Sequence, residues 1–251
     1  MKPVVIIPCY KESLDINEAA CLRHGLHVLG SHDVRAFLPE GMTPPPEFRD
    51  MALERFPARF FVDVQGYNDL LLSPEFYERF AAWDYMLIYQ LDAWVFRDEL
   101  LQWCARGYDY IGAPWGNADF LKRWRADKRL PAVSRWPRLA RLFYGYDFRA
   151  GNGGFSLRRT ETFRRILQRF PSASTGWRKN EDLFWSFRAR TLDRRFRVAS
   201  ESDAMYFAIE TEPRGYLARM KGRLPFGCHA WKKYDADFWD EHISAENAPA
   251  L

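Results

Sequence analysis

Four short stretches of the chain carry residues whose types could do chemistry. Asp92 closes the apolar run Met86 to Leu91. A carboxylate directly after a buried strand can bind a divalent cation or ribose hydroxyls, and it can equally cap a turn. Gly151-Asn152-Gly153-Gly154-Phe155-Ser156-Leu157 sets closely spaced glycines before a strand-like segment. Glycine there permits close approach of backbone to a ligand, or simply a tight turn. Asn180-Glu181-Asp182 opens a helical pattern. Acidic residues at a helix start suit the helix dipole, and a carboxylate aimed at a hydroxyl can serve as a general base. Gly227-Cys228-His229-Ala230-Trp231 holds a histidine in a loop. Such a group can ligate a metal, bind a diphosphate or play a structural part.

The elements that must position these residues follow from hydrophobic pattern. Val4 to Ile7, closed by Pro8, suits a buried first strand. Leu22, Leu26 and Leu29 recur at helical spacing behind Asp15, a candidate cap. Val34 to Leu38 and Phe60 to Val64 read as strands. Ser73-Pro74-Glu75 is a helix start. Met86 to Leu91 predicts a central strand buried on both faces. Tyr108 to Gly112 and Phe155 to Leu157 predict two more strands, the second followed by a helix carrying Phe163, Ile166, Leu167 and Phe170. Ala204 to Ile209 reads as a late strand. Alternating strands and helices predict an α/β domain with a mostly parallel sheet, whose ligands bind at the carboxyl ends of the strands.

Composition bounds the function classes. The 251 residues are 47% hydrophobic and 28% charged, which fits one large globular domain and neither a disordered nor a membrane-spanning chain. Residues 1–243 are expected to form that domain, with 244–251 a flexible tail. Aromatics reach 17% and suit stacking on sugars or bases as well as core packing. Net charge is +4, too weak an excess for a nucleic-acid partner without a recognisable module. Cys9, Cys21, Cys104 and Cys228 are scattered and predict free buried thiols. The first apolar run is too short for a signal peptide, so a cytoplasmic location is expected. Residues 120–149 interrupt the pattern with Lys122, Arg123, Arg125, Lys128, Arg129, Arg135, Arg138 and Arg141 among Trp124, Trp136 and Phe143. This basic, aromatic insert is either a solvated excursion or a surface for phosphates, an anionic acceptor or the inner membrane, which it would touch peripherally.

In their order, the first strand ending at Pro8-Cys9-Tyr10, Leu91-Asp92-Ala93, the Gly-Gly-Phe-Ser-Leu segment, the Asn-Glu-Asp helix start and the late histidine resemble the GT-A glycosyltransferase layout. Gly66-Tyr67-Asn68, Tyr89 to Ala93, Tyr108 to Trp115 and Pro225 to Trp231 resemble, more closely, a glycosyltransferase-like family of bacterial and fungal proteins. The resemblance implies one GT-A-like (Rossmann-like) domain that moves a sugar from a nucleotide-sugar donor to a glycan or glycolipid hydroxyl, in bacterial surface polysaccharide or lipopolysaccharide synthesis. It implies Pro8 and Tyr10 against the base, Asp92 and Ala93 at the donor, and Gly153 and Gly154 along the donor sugar or acceptor. Asp182 would be the base, Glu181 a binder of substrate hydroxyls, and Asp92 with His229 the holders of a divalent cation, Mn²⁺ or Mg²⁺. One departure stands out: Asp92-Ala93-Trp94 puts Trp94 where the second acidic residue of an Asp-x-Asp motif is expected. Either Asp92 and His229 suffice with waters and phosphates, or the motif is offset, or Arg158, Arg159, Lys221 or Arg223 neutralise the diphosphate without metal. A non-catalytic sugar- or nucleotide-binding protein on the same fold is the alternative. A sugar nucleotidyltransferase is a weaker one, because Pro8-Cys9-Tyr10-Lys11-Glu12 lacks the glycines of its phosphate loop.

Overall fold

Pro3–Pro8 (β1) is buried along its whole length, as a central parallel strand must be. In the computed structural model, which describes residues 1–116, 132, 136–144 and 149–247, β1 lies between β2 (Asp33–Pro39) and β4 (Tyr85–Tyr89), parallel to both. β3 (Ala52–Phe56) extends the β2 edge, also parallel. Beyond β4 the ten-residue β7 (Ala150–Arg159) runs antiparallel to β4 and to β6 (Tyr110–Pro114). The order is β3-β2-β1-β4-β7-β6. A small second sheet sets β9 (Gly227–His229) between β5 (Ala93–Val95) and β8 (Ala208–Ile209). The chain is thus a single α/β domain with a mostly parallel central sheet flanked by helices.

Period-two alternation divides the core. Val4, Ile6, Met86 and Ile88 face a layer that includes Leu70, Phe76, Phe163 and Ile166. Val5, Ile7, Leu87 and Tyr89 face Leu22, Leu29, Trp103 and Phe155. The helices begin where capping chemistry sets them. In α1 (Ile16–Leu29) Asp15 accepts from Asn17 N and Glu18 N, and Glu18 reaches back to Asp15 N, a complete capping box. Asp63 caps α2 (Val64–Leu71) and Ser73 caps α3 (Pro74–Arg79). Then follow α4 (Leu100–Ala105), α5 (Pro137–Tyr144) and α6 (Thr160–Arg169). α7 (Glu181–Leu183) runs on into a π-helical turn, Phe184–Arg188, a feature that often marks functional sites. α8 (Glu201–Phe207), α9 (Pro213–Arg219) and α10 (Ala236–Asn247) complete the chain.

Three local expectations need correction. Phe60 to Val64 is not a strand: Ala58–Phe61 is a 3₁₀ turn and Asp63 starts α2, the real edge strand being β3 just before. Ala204 to Ile209 is mostly helix, because Ser200 caps α8 by accepting from Asp203 N. The glycines from 151 to 154 lie inside β7, not in a turn ahead of it. The four cysteines are buried thiols outside any disulfide, as expected. Among the described residues no helix is long and apolar enough to cross a membrane. Of the basic insert, Trp136, Arg138, Leu139, Leu142 and Phe143 are exposed around α5. Lys122, Arg123, Trp124, Arg125, Lys128, Arg129 and Arg135 lie outside the described residues.

Candidate active site

A cavity of about 530 Å³ opens at the carboxyl edge of the central sheet, where ligands of open α/β sheets bind. A smaller one of about 130 Å³ adjoins it, and the two share Tyr10 and Gln90. Pro8, Tyr10 and Asp92 line the smaller cavity. Tyr10, Gly153, Gly154, Glu181, Asp182 and His229 line the larger. The motifs at residues 8–10, 92, 151–157, 180–182 and 227–231 therefore converge in space. Ala93 is the exception. It is fully buried in β5 and lines neither cavity. Its part is indirect: it pairs in register with His229, so β5 fixes where the imidazole stands.

Trp94 also faces away from the cavity. It is buried, stacked on His24 with ring centroids 3.8 Å apart, and packed edge-on to Trp231. The residue that shares the cavity with Asp92 lies two positions earlier. Gln90 Oε1 is 3.1 Å from His229 Nε2, and Asp92 Oδ1 is 3.2 Å from the same nitrogen. Gln90 and Asp92 thus stand together at the smaller cavity, while Trp94 lines neither cavity. Glu210, at the end of β8, faces the other ring nitrogen, with Oε1 3.4 Å from His229 Nδ1. Its Oε2 accepts from Asn152 Nδ2 at 2.5 Å. Although burial works against it, contact with Asp92 and Glu210 pushes His229 up to about 10, so the ring is an imidazolium at neutral pH. Burial likewise opposes ionisation of Asp92, yet His229 holds its carboxyl below the ordinary range.

The other end of the cavity is built on β7 and α7. Arg158 is fully buried and grips Glu181 with two bonds, Nη1 to Oε2 at 3.0 Å and Nη2 to Oε1 at 2.7 Å. Nη1 also donates to Tyr77 Oη at 3.0 Å. Both Glu181 oxygens thus accept from Arg158, while the residue still lines the cavity. Asp182 is different. Its Oδ2 accepts from Gly153 N at 3.3 Å, and its Oδ1 has no hydrogen-bond partner. Burial first, then the charges of Glu181 and Glu210, push Asp182 up to about 8. A cavity-lining carboxyl poised near neutral pH has the properties of an acid–base catalyst.

Glycine at 153 and 154 makes room for the protein's own groups. A Cβ on Gly153 would come 2.9 Å from Glu181 Oε1 and 3.0 Å from Asp182 Cβ, and one on Gly154 would strike the His229 ring. The two glycines let the imidazole and the carboxylates close on β7 from opposite sides.

The charge of the larger cavity is acidic. Asp63, Glu181, Asp182 and Glu210 line it, and among the described residues no Lys or Arg does. Lys11, in the smaller cavity, is paired with Glu18. The four basic residues expected to neutralise a diphosphate line neither cavity. Arg158 is committed to Glu181, Arg159 to Tyr85, Gly107 and Asp109, and Arg223 to Glu99, while Lys221 lines neither cavity.

Residues 50–229 match the family described as protein of unknown function (DUF5672), a span that runs from the start of β3 to the histidine of the site. The chain belongs to this family. No curated protein matches the sequence. Solved structures show what this DUF5672 protein resembles in fold. The galactosyltransferase LgtC, in complex with donor and acceptor sugar analogues, superposes with a TM-score of 0.56 at 10% identity over 99% of this chain and 97% of that one. An active-site mutant of LgtC gives 0.52 at 12% identity over 96% and 95%. The bifunctional glycosyltransferase WbbM, in its apo structure, gives 0.50 at 13% identity over 98% of this chain and 50% of WbbM. The DUF5672 chain has the GT-A glycosyltransferase fold.

Proposed function

We propose that this protein is a glycosyltransferase that moves a sugar from a nucleotide-sugar donor to an acceptor hydroxyl on a glycan or glycolipid. One observation carries the reading. Two adjoining cavities that share Tyr10 and Gln90 bring together a Gln90–Asp92–His229 cluster and a partly unpartnered Asp182, raised to about 8. The likeness of the fold to LgtC and WbbM supports it.

The nucleotide end lies along Pro8, Tyr10 and Asp92, and the diphosphate faces His229. A divalent cation would be held at this wall. Among the described residues no three His, Cys, Asp or Glu side chains form a metal cage, because Glu210 and Asp92 sit on opposite ring nitrogens of His229. An amide oxygen and a carboxylate oxygen stand 3.1 and 3.2 Å from the imidazole Nε2, donor types that Mn²⁺ or Mg²⁺ accepts. Asp92, Gln90 and His229 would hold the ion, with His229 giving up its Nε2 proton. When bound, the cation would supply positive charge that stabilises a departing diphosphate, in a cavity that no Lys or Arg lines among the described residues.

Asp182 takes the proton of the acceptor hydroxyl as that oxygen attacks the anomeric carbon. General base catalysis of this kind contributes about 10²–10⁴-fold. Glu181, held by Arg158, places a carboxylate beside Asp182 whose charge helps to raise it. Gly153 N steadies the Asp182 carboxylate. A cytoplasmic setting, and peripheral inner-membrane contact through the basic insert, accompany this reading.

Release of nucleoside diphosphate from a panel of nucleotide sugars, with mixed glycan acceptors, tests the proposal. Wild-type protein should release diphosphate and Asp182→Asn should not. Equal release by both removes Asp182 from the mechanism, and none by folded wild type argues for a binding protein.

A further inference from the structure

Gly66, Tyr67 and Asn68 lie in α2, and the last two line the large cavity. Gly66 sets them there. A Cβ on it would come 2.9 Å from Arg59 O and 3.0 Å from Phe60 O, so glycine lets α2 lie close against the 3₁₀ turn before it. The Tyr67 ring then stacks on Phe37 of β2 with centroids 6.1 Å apart.

The two side chains reach both ends of the site. Gln90 Nε2 donates to Tyr67 Oη at 3.3 Å, while Gln90 Oε1 faces His229. One residue on, Asn68 Oδ1 accepts from the backbone N–H of Glu181 at 2.9 Å, next to Asp182. These bonds set the sense of both polar groups. Tyr67 Oη serves as an acceptor, so its proton is left to donate, and no acceptor for it stands among the described residues. Asn68 is 5% exposed, its Oδ1 is taken, and its Nδ2 has no partner among the described residues either. Adjacent residues thus leave two neutral donors to the cavity.

Acceptors stand around them, because Asp63, Asp182 and Glu210 line the same cavity. A sugar hydroxyl both donates and accepts, and so suits both kinds of group. An anionic ligand group would instead meet the carboxylates. In the proposed transfer the anomeric carbon lies between the diphosphate at His229 and the base at Asp182. The transferred ring therefore lies along the wall that Tyr67 and Asn68 bridge.

We propose, on the basis of the glycosyl-transfer reading, that Tyr67 and Asn68 read the donor sugar: Tyr67 O–H and Asn68 Nδ2–H each donate to a hydroxyl oxygen of the transferred ring.

UDP-glucose, UDP-galactose and GDP-mannose, each beside its free diphosphate, are titrated by calorimetry with Mn²⁺ into wild-type protein and Tyr67→Phe. Melting curves check that the variant is folded. Tyr67→Phe should weaken the sugar nucleotide that wild type binds by about five- to tenfold, the worth of one such hydrogen bond, and leave the free diphosphate within about twofold. Monodeoxy analogues of that sugar give a measurement on wild type alone. Loss of one hydroxyl should cost wild type a similar factor and cost Tyr67→Phe no more, because the bond is already gone. A second hydroxyl, the one at Asn68, should keep its cost in the variant. Equal loss of sugar nucleotide and free diphosphate would make Tyr67 a support for Gln90 and overturn the proposal. So would undiminished affinity in Tyr67→Phe, or a wild type indifferent to every monodeoxy analogue. In each of these cases diphosphate binding still stands, and the transferase reading with it. A wild type that binds none of the nucleotides fails that reading, and the proposal falls too.

Discussion

The backbone N–H of Gly153 donates to Asp182 Oδ2 at 3.3 Å, so a strand near the edge of the central sheet holds the carboxyl on which the proposed chemistry depends. Gly153 can come this close because a Cβ there would meet Asp182 Cβ and Glu181 Oε1.

Asp182 is held near 8 by burial and by the charges of Glu181 and Glu210. As a base it must be ionised. The kcat/KM of wild type should therefore climb with pH through about 8, and Asp182→Asn should lose transfer by about 10²–10⁴-fold at pH 8 with donor binding retained. A flat profile from pH 6 to 9 would contradict the assignment.

The same shift has a stability consequence. The folded pKa lies above the unfolded value of about 4, so the folded state binds the proton more tightly. The contribution of Asp182 to stability is complete below pH 4 and is lost as pH rises through about 8. Between pH 5 and 9 the melting temperature of wild type should fall relative to that of Asp182→Asn. Parallel curves for the two proteins would show that the group is not shifted.

Arg158→Met leaves Glu181 buried without its cation. Breaking a fully buried, doubly bonded pair costs about 3–5 kcal/mol. Urea unfolding should show a loss of this size, and Glu181→Gln/Arg158→Met together should recover part of it. A loss under about 1 kcal/mol, the range of exposed pairs, would mean that water reaches the pair.

Gly154→Ala drives a methyl into the His229 ring. Overpacking of this kind costs about 1–3 kcal/mol. The variant should stay folded but lose the part of any nucleotide response that depends on Mn²⁺. An unchanged Mn²⁺ response would remove His229 from the cation wall.

Much of this site was legible in the sequence, and the gaps have physical causes. Asp92, Asp182 and His229 were visible because carboxylates and a histidine follow strands or open a helix, and the parallel-sheet rule told where those ends meet. Gln90 was hidden inside an apolar run, where one polar residue reads as a tolerated strand position. Glu210 obeys the strand-end rule that found Asp92, following β8, although most of the run before it is helix capped by Ser200. β3 was missed because Leu53-Glu54-Arg55-Phe56 alternates charge on a sheet edge, a pattern that pairing with β2 decides and propensity does not. Engagement of Glu181 by Arg158, 23 residues away in sequence, has no local signal at all.

The most direct test is thermal stabilisation by a panel of nucleoside diphosphates and nucleotide sugars, with and without Mn²⁺. A ligand at about 100 times its Kd adds about 2.7 kcal/mol to stability, which a melting curve resolves. The account predicts a clear shift with one nucleotide, enlarged by Mn²⁺ in wild type and not in His229→Ala. No shift with any nucleotide, in protein shown to be folded, would contradict it.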